Sequence, residues 1–328
     1  MGYTGNMRCM FMGLPNSGKS SFIGAFWHVV DSGEIEDSYT VDVQPNDREY
    51  LNELRDSFLG CKAPERTKTE FVKQIDLDVK DNSTGNKATF TFPDLSGETF
   101  ESQFEYRKIT KTYLADIEEC DSIILFVNPE FLKKPNLITD ADAMLDESEG
   151  GISQEEAEVV QNVEVKEEAN LNTNQSVDEA SGQAEASDLK NDVKEIVEWT
   201  PKMCQSQVML VDLLQIIENK LIKPCKISIV ISAWDLILEI PEIVEPRKTP
   251  KEWLATNLPL LNQYLTANFE FYTFKVFGIS AQGAAYSKLK NGNKKLLSFA
   301  KQSERIKVQD GESINNDITI PFKWLING

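Results

Sequence analysis

Short, dense apolar runs alternate with helical patterns along this chain, and that alternation predicts its elements. The run at 7–12 reads as a strand. Behind it Phe22, Ile23, Phe26, Val29 and Val30 fall at helical spacing over 20–30, so one face of that helix is expected to pack on a sheet. Pro45, Asn46 and Asp47 introduce a second helix over 48–59, ending at Gly60 and inserted before the next strand. Over 71–79, Val72, Ile75, Leu77 and Val79 give a strand; 82–86 turns around Gly85, and 88–92 is the returning strand of a hairpin. A helix with Phe100, Phe104, Tyr106 and the stretch 109–114 follows. Residues 122–127 and 226–231 are apolar without alternation, the pattern of strands buried on both faces, which requires helices above and below them. The order is completed by a helix over 193–221 kinked near Pro201, a helix over 253–265 and a sixth strand over 273–279. The tail 320–326, with Pro321 at a helix start followed by Phe322 and Trp324, is expected to dock back on the core. Strands alternating with helices predict an α/β fold with a six-stranded, mostly parallel sheet and helices on both faces, in a single domain over 1–328.

One span breaks the pattern. From 140 to 192 periodicity fails and Glu, Asp, Ser, Asn, Gln and Gly dominate, too little apolar surface to offset the entropy of ordering, so a disordered acidic insertion is predicted. The formal net charge of −19 is concentrated there: 140–198 holds 18 acidic residues against 3 Lys, and the remainder is only mildly acidic. Closure entropy grows slowly with loop length, so replacing 140–192 by a short Gly/Ser linker is expected to leave the melting temperature and ligand binding unchanged. A large fall in melting temperature on calorimetry would show that the insertion packs.

The scattered Lys and Arg offer no stripe for a nucleic-acid backbone or an anionic lipid surface, and neither partner is expected. The five cysteines are odd in number, contain no C-x-x-C pair and suit reduced thiols. With His28 the only histidine, a zinc site is not expected; His28 itself reads as a packed helix residue. No stretch of about 18 apolar residues is present, and a cytoplasmic protein is expected.

The chemistry sits at the strand ends. Gly13-Leu14-Pro15-Asn16-Ser17-Gly18-Lys19-Ser20 fits G-x-x-x-x-G-K-[ST] between a strand and a helix, where backbone N–H groups and a helix N-terminus surround a β-phosphate. In such a loop Lys19 supplies a full charge to the β- and γ-phosphates, and Ser20 is left to hold Mg²⁺. Asp94 and Gly97 form a D-x-x-G: the carboxylate can reach Mg²⁺ through water and the glycine N–H can touch a γ-phosphate. Asp235, after Ser232-Ala233-Trp234, can accept both N1–H and the exocyclic amine of guanine, a match adenine does not offer. Ser280-Ala281 can donate a backbone N–H to guanine O6.

In this order the motifs resemble those of the Ras-like P-loop GTPases of the translation-factor-related class, over nearly the whole chain outside the acidic stretch. Gly13 to Ser21, Phe26-Trp27-His28, Leu95-Ser96-Gly97-Glu98 and Phe322-Lys323-Trp324-Leu325 are similar to the bacterial double-GTPase family, which is associated with multi-gene conflict or defence systems. The resemblance implies GTP or GDP with Mg²⁺, bound through Asn16, Ser17, Gly18, Lys19, Ser20, Ser21, Asp235, Ser280 and Ala281, with the metal on Ser20, Asp94 and a switch threonine. Arg66-Thr67-Lys68-Thr69 resembles the G-protein alpha-subunit segment in which an arginine stabilises transition-state charge and a threonine three residues on binds the metal. Thr69 is then the metal threonine, with Thr67 in reserve, and Lys19, Arg66, Gly97 and Glu98 form the catalytic set. The same segment also reads as a solvated basic loop between Glu65 and Glu70. The fourth motif ordinarily reads N-K-x-D. Ser232 and Ala233 replace its first two residues, which implies modest guanine affinity, with Trp234 as a compensating surface. Glu98 stands where many relatives carry a water-orienting Gln, implying slow intrinsic hydrolysis.

A switch in which 61–69 and 97–107 order around the γ-phosphate, acting on protein partners and assisted by a GTPase-activating protein, is the reading these residues favour. A scaffold that binds nucleotide and barely hydrolyses it remains open, as does an ATP-using kinase of the same loop class.

Overall fold

The computed structural model describes residues 5–45, 47–64, 73–94, 97–134, 200–221, 223–240, 248–284 and 296–327. They fall in one compact unit made of Met1–Lys134 and Thr200–Gly328. Residues 135–199, and with them the acidic insertion expected over 140–192, lie outside the described residues.

The elements follow the predicted order. Strand β1 (Gly5–Met12) feeds helix α1 (Lys19–Ser32). Strand β2 (Tyr39–Val43) and helix α2 (Arg48–Leu59) precede the hairpin of β3 (Lys73–Asp81) and β4 (Lys87–Asp94). Helices α3 (Gly97–Tyr106) and α4 (Lys111–Glu118) lead to β5 (Ser122–Val127), and helix α5 (Ser206–Glu218) leads to β6 (Cys225–Ile231). Helices α6 (Asp235–Leu238), α7 (Pro250–Asn257) and α8 (Pro259–Ala267) precede β7 (Tyr272–Ser280). The short strands β8 (Lys307–Asp310) and β9 (Ser313–Asn315) and helix α9 (Ile320–Asn327) close the chain.

Among the described residues the sheet has nine strands in the order β2-β3-β4-β1-β5-β6-β7-β8-β9, where six were expected. It is mixed rather than mostly parallel: β4, β1, β5, β6 and β7 run parallel, while β2, β3, β8 and β9 join by antiparallel pairings. The three unforeseen strands have three to five residues each, too few for a period-2 pattern to stand out. They exist because a neighbour offers a free edge. β2 pairs on the hairpin strand β3, and β8 on β7, after which Gly311 at φ 60° turns the chain back into β9.

Every position of β5 is buried, as expected of a strand covered on both faces. On one face Phe22 and Phe26 of α1, Leu54 and Phe58 of α2 and Phe322 of α9 form a core with Phe11, Phe90 and Phe126. Phe322 lies 4.4 Å from the Phe90 ring and 4.6 Å from that of Phe26, so the predicted docking of the tail is met. On the other face Ile117 of α4, Leu214 of α5, Leu254 of α7 and Leu261 of α8 pack over Leu125, Ile229 and Ile231.

Two expected helices prove to be pairs. The one over 253–265 breaks at Pro259, which lacks the N–H to continue α7 and instead opens α8. The one over 100–114 breaks at Arg107, which adopts φ 53°, and Thr110 then caps α4 by accepting the Tyr113 N–H at 3.2 Å. The helix expected over 193–221 is described from 200 onward as a 3₁₀ turn, Pro201–Met203, and α5. His28 packs as expected: it is buried in α1 beside the Phe58 ring, with Nε2 3.1 Å from Glu34 Oε1. Burial lowers its pKa, and Glu34 opposes that shift.

Candidate functional site

The parallel strands β1, β4, β5, β6 and β7 end at one edge of the sheet, the place where an open α/β sheet takes its ligands. At the end of β1 the chain turns through 13–18 before α1 begins. Asn16 and Gly18 hold positive φ, 60° and 95°, which exposes the loop's amides ahead of the first helical turn. Lys19 is nearly buried, and its Nζ donates to the Gly13 carbonyl at 2.7 Å and to Ser17 Oγ at 3.3 Å, 5.7 Å from the centre of the Phe100 ring of α3. Ser20, in the first turn of α1, is half-buried.

The loop is held from behind by two neighbouring strand ends. Ser232, after β6, donates its hydroxyl to the Ser17 carbonyl at 2.8 Å, and its own N–H reaches the Val127 carbonyl. A Cβ on residue 18 would lie 2.8 Å from the Ser232 side chain, so the close approach that makes this bond also demands glycine there. Asn128, after β5, donates Nδ2 to the Asn16 carbonyl at 3.0 Å.

The loop after β6 is fixed to β7 and β8. Trp234 is fully buried; its N–H donates to the Ile279 carbonyl at 3.3 Å and its indole Nε1 to Gln309 Oε1 at 2.7 Å. Its ring lies on Gly278, where a Cβ would stand 2.3 Å away. Trp234 is therefore a bolt in the core and not the base-covering surface expected of it. Ala233, at φ 48°, turns the chain so that Asp235 opens α6 beside the end of β7. Ser280 donates its hydroxyl to Asp235 Oδ1 and accepts the Gly283 N–H at 3.0 Å. Asp235 Oδ2 is buried and finds no hydrogen-bond partner among the described residues. An unsatisfied buried carboxylate oxygen is costly, and it is what a pair of N–H donors from a ligand would satisfy.

The structure thus brings Asn16, Ser17, Gly18, Lys19 and Ser20 together in the loop and the first turn of α1, and Asp235 against Ser280, which Ala281 follows; Ser232, three residues before Asp235, bonds back to the loop. Ser21 follows in α1. Asp94 is the last residue of β4, which runs parallel beside β1, and Gly97 and Glu98 are the first two residues of α3, so the backbone places all three at the same edge. Arg66, Thr67 and Thr69 lie outside the described residues. Asn128 and Gln309 are contributors that the sequence reading missed. Neither belongs to a motif, and the capping pattern Asn128-Pro129-Glu130 was the one available hint of an ordered amide after β5. Among the described residues no group of three or more His, Cys, Asp or Glu could hold a metal ion by itself.

A family model, Double-GTPase 1, matches residues 10–325. No curated protein matches the chain. Among solved structures, the chain is similar to bacterial selenocysteine-specific elongation factor EF-Sec (11% identity, TM-score 0.35), covering 93% of this chain and 30% of that one. It is also similar to the S. cerevisiae Ski7 GTPase-like domain bound to GDP and inorganic phosphate (14% identity, TM-score 0.37, 92% and 52% covered). A third likeness is to Methanosarcina barkeri Roco2 RocCORdC bound to GDP (10% identity, TM-score 0.28, 89% and 49% covered). The chain therefore spans between 30% and 52% of the length of these structures.

Proposed function

We propose, from the premise that the chain belongs to the Double-GTPase 1 family and is a GTPase, that it works as a GTP-driven molecular switch whose strand-end loops read the nucleotide. The observation that carries this reading is the buried, unpartnered Oδ2 of Asp235, presented beside Ser280 at the edge that also holds the phosphate loop. Guanine offers two adjacent N–H donors to such a carboxylate; adenine offers no such pair on that edge. Lys19 would pass from the loop carbonyls to the β- and γ-phosphates, and the loop amides and the start of α1 would take the β-phosphate. Ser20, Asp94 and Thr69 would hold Mg²⁺: hydroxyl and carboxylate oxygens are the donors a hard cation takes, and Ser20 and Asp94 sit on adjoining elements of one edge. Bound Mg²⁺ would neutralise charge on the phosphates. Gly97 and Glu98 open α3, whose far end is pinned by an ion pair between Arg107 and Asp212 of α5, so a γ-phosphate contact at Gly97 would act on a helix anchored at its other end. Competition of labelled GTP by GTP, GDP and ATP tests the base assignment, and displacement by ATP as effective as by GTP would overturn it.

The likeness to the bacterial double-GTPase family supports a role in a bacterial conflict or defence system through protein partners, and the five free cysteines support a reducing, cytoplasmic setting. Glu98 in place of a water-orienting Gln supports slow turnover without such a partner and keeps a second reading alive, a nucleotide-binding scaffold that barely hydrolyses. Single-turnover phosphate release separates the two. If Arg66 acts in cis, Arg66→Ala is expected to slow that release by roughly a hundredfold while GTP affinity stays within a few-fold, because its contact forms only in the transition state. Equal rates in variant and parent would assign the arginine to a partner.

A further inference from the structure

Asn128 stands outside every motif in the chain and yet reaches the phosphate loop. Its carboxamide is fixed at both ends. Oδ1 accepts the Glu130 N–H at 3.1 Å, capping the turn Pro129–Phe131, and that bond settles which end is the amine: Nδ2, which donates to the Asn16 carbonyl at 3.0 Å across 112 residues of sequence. The acceptor lies on a strained segment. Asn16 sits at φ 60°, which Asn tolerates better than other side chains but which still needs support. One peptide further on, Ser232 holds the Ser17 carbonyl at 2.8 Å.

We propose that Asn128 is a positioning residue for nucleotide binding: together with Ser232 it pins two consecutive loop carbonyls outward. In a planar trans peptide the C=O and N–H point in opposite directions, so each pinned carbonyl turns the following N–H, of Ser17 and of Gly18, toward the inner side of the loop. The Ser17 N–H meets only a long bond there, 3.2 Å to the Leu14 carbonyl, and an entering anion can take it over. A loop so held meets the β-phosphate already arranged and saves the ordering cost of binding.

The inference rests on the nucleotide-site reading above, and its test separates the two. Asn128→Asp keeps the acceptor for Glu130 and replaces the donor facing Asn16 with an oxygen, so the tether is lost; the negative charge it adds beside the loop is controlled for by Asn128→Ala, which carries none. Titration of the full chain with fluorescent GDP and GTP is expected to show both weakened about tenfold, the loss of roughly one hydrogen bond, by the same factor because the β-phosphate is common to both. The preference for GDP over XDP and the melting temperature without nucleotide should be unchanged, and competition by GMP, which lacks the β-phosphate, should be the same as in the parent. Asn128→Ala, which also removes the cap, should show the same affinity loss with a lower melting temperature, and it decides the matter if the Asp variant does not fold. Parent-like GDP binding in the variants, or an equal loss for GMP, would overturn the role of Asn128 alone. A parent protein that binds no guanine nucleotide would overturn the site reading and this inference with it.

Discussion

Lys19→Ala is expected to remove nucleotide binding while leaving the fold in place. In the structure the ammonium bonds to the Gly13 carbonyl and Ser17 Oγ beside the Phe100 ring, in a nearly buried setting where water competes weakly. A phosphate entering the loop would meet a charge already desolvated and aimed. Removing one partner of such an ion pair costs about 4 kcal/mol, or roughly a thousandfold in affinity. The two apolar cores are built from other side chains, so circular dichroism and the melting temperature should change little. Lys19→Met, which keeps the aliphatic stem, should match the Ala variant in binding and the parent in stability, separating charge from packing. Equilibrium titration with labelled GTP checks the result. Micromolar GTP binding retained by a folded Lys19→Ala protein would sink the phosphate-loop assignment.

The elements that the sequence announced are those whose pattern is strong over many residues. Strands β5 and β6 are continuous apolar runs, α2 is bounded by Asp47 and Gly60, and α1 follows a loop whose composition phosphate chemistry restricts. β2, β8 and β9 owe their existence to pairing with a neighbour, a tertiary fact that three to five residues do not encode. The breaks at Pro259 and Arg107 divide the cases: proline is a visible stop, whereas a positive φ at an arginine leaves no mark in the sequence.

The site divides in the same way. Asp235 and Ser280 could be read as strand-end residues before their 45-residue separation was seen to close into a hydrogen bond. Trp234, next to Asp235 in the chain, was assigned to the wrong side, because its direction is set by Gly278 leaving space for the indole and Gln309 accepting its N–H, on two other strands. Ser232 looked like a deficient asparagine, yet its hydroxyl reaches the Ser17 carbonyl, and the glycine at 18 is what lets so short a side chain do so. Ala233 has no such substitute: the stem of the customary lysine is missing, and the buried Trp234 does not stand in for it. On the proposed reading, a guanine plane would be held through its edge more than its face, which would place more of the selectivity on Asp235.

That weight makes Asp235→Asn the most revealing change in the base-reading loop. Ser280 decides how the new amide sits. Its oxygen accepts the Gly283 N–H and its proton is directed at residue 235, so the amide oxygen takes the Oδ1 place and the amide nitrogen the place of the unpartnered Oδ2. The nitrogen then confronts the exocyclic amine of guanine, donor against donor, while the carbonyl that xanthine carries at the same position becomes its acceptor. Each hydrogen bond to a charged group is worth about 1.5–3 kcal/mol, so GTP should weaken about a hundredfold and XTP tighten by a similar factor, a swing of roughly ten-thousandfold in their ratio. Competition titrations with GTP and XTP measure it directly, and the melting temperature without nucleotide should hold, because the Ser280 bond is preserved. Unchanged GTP affinity would mean that the base is read elsewhere. Loss of GTP with no gain for XTP would make Asp235 a brace for Ser280 and the loop after β7 rather than the reader of the base.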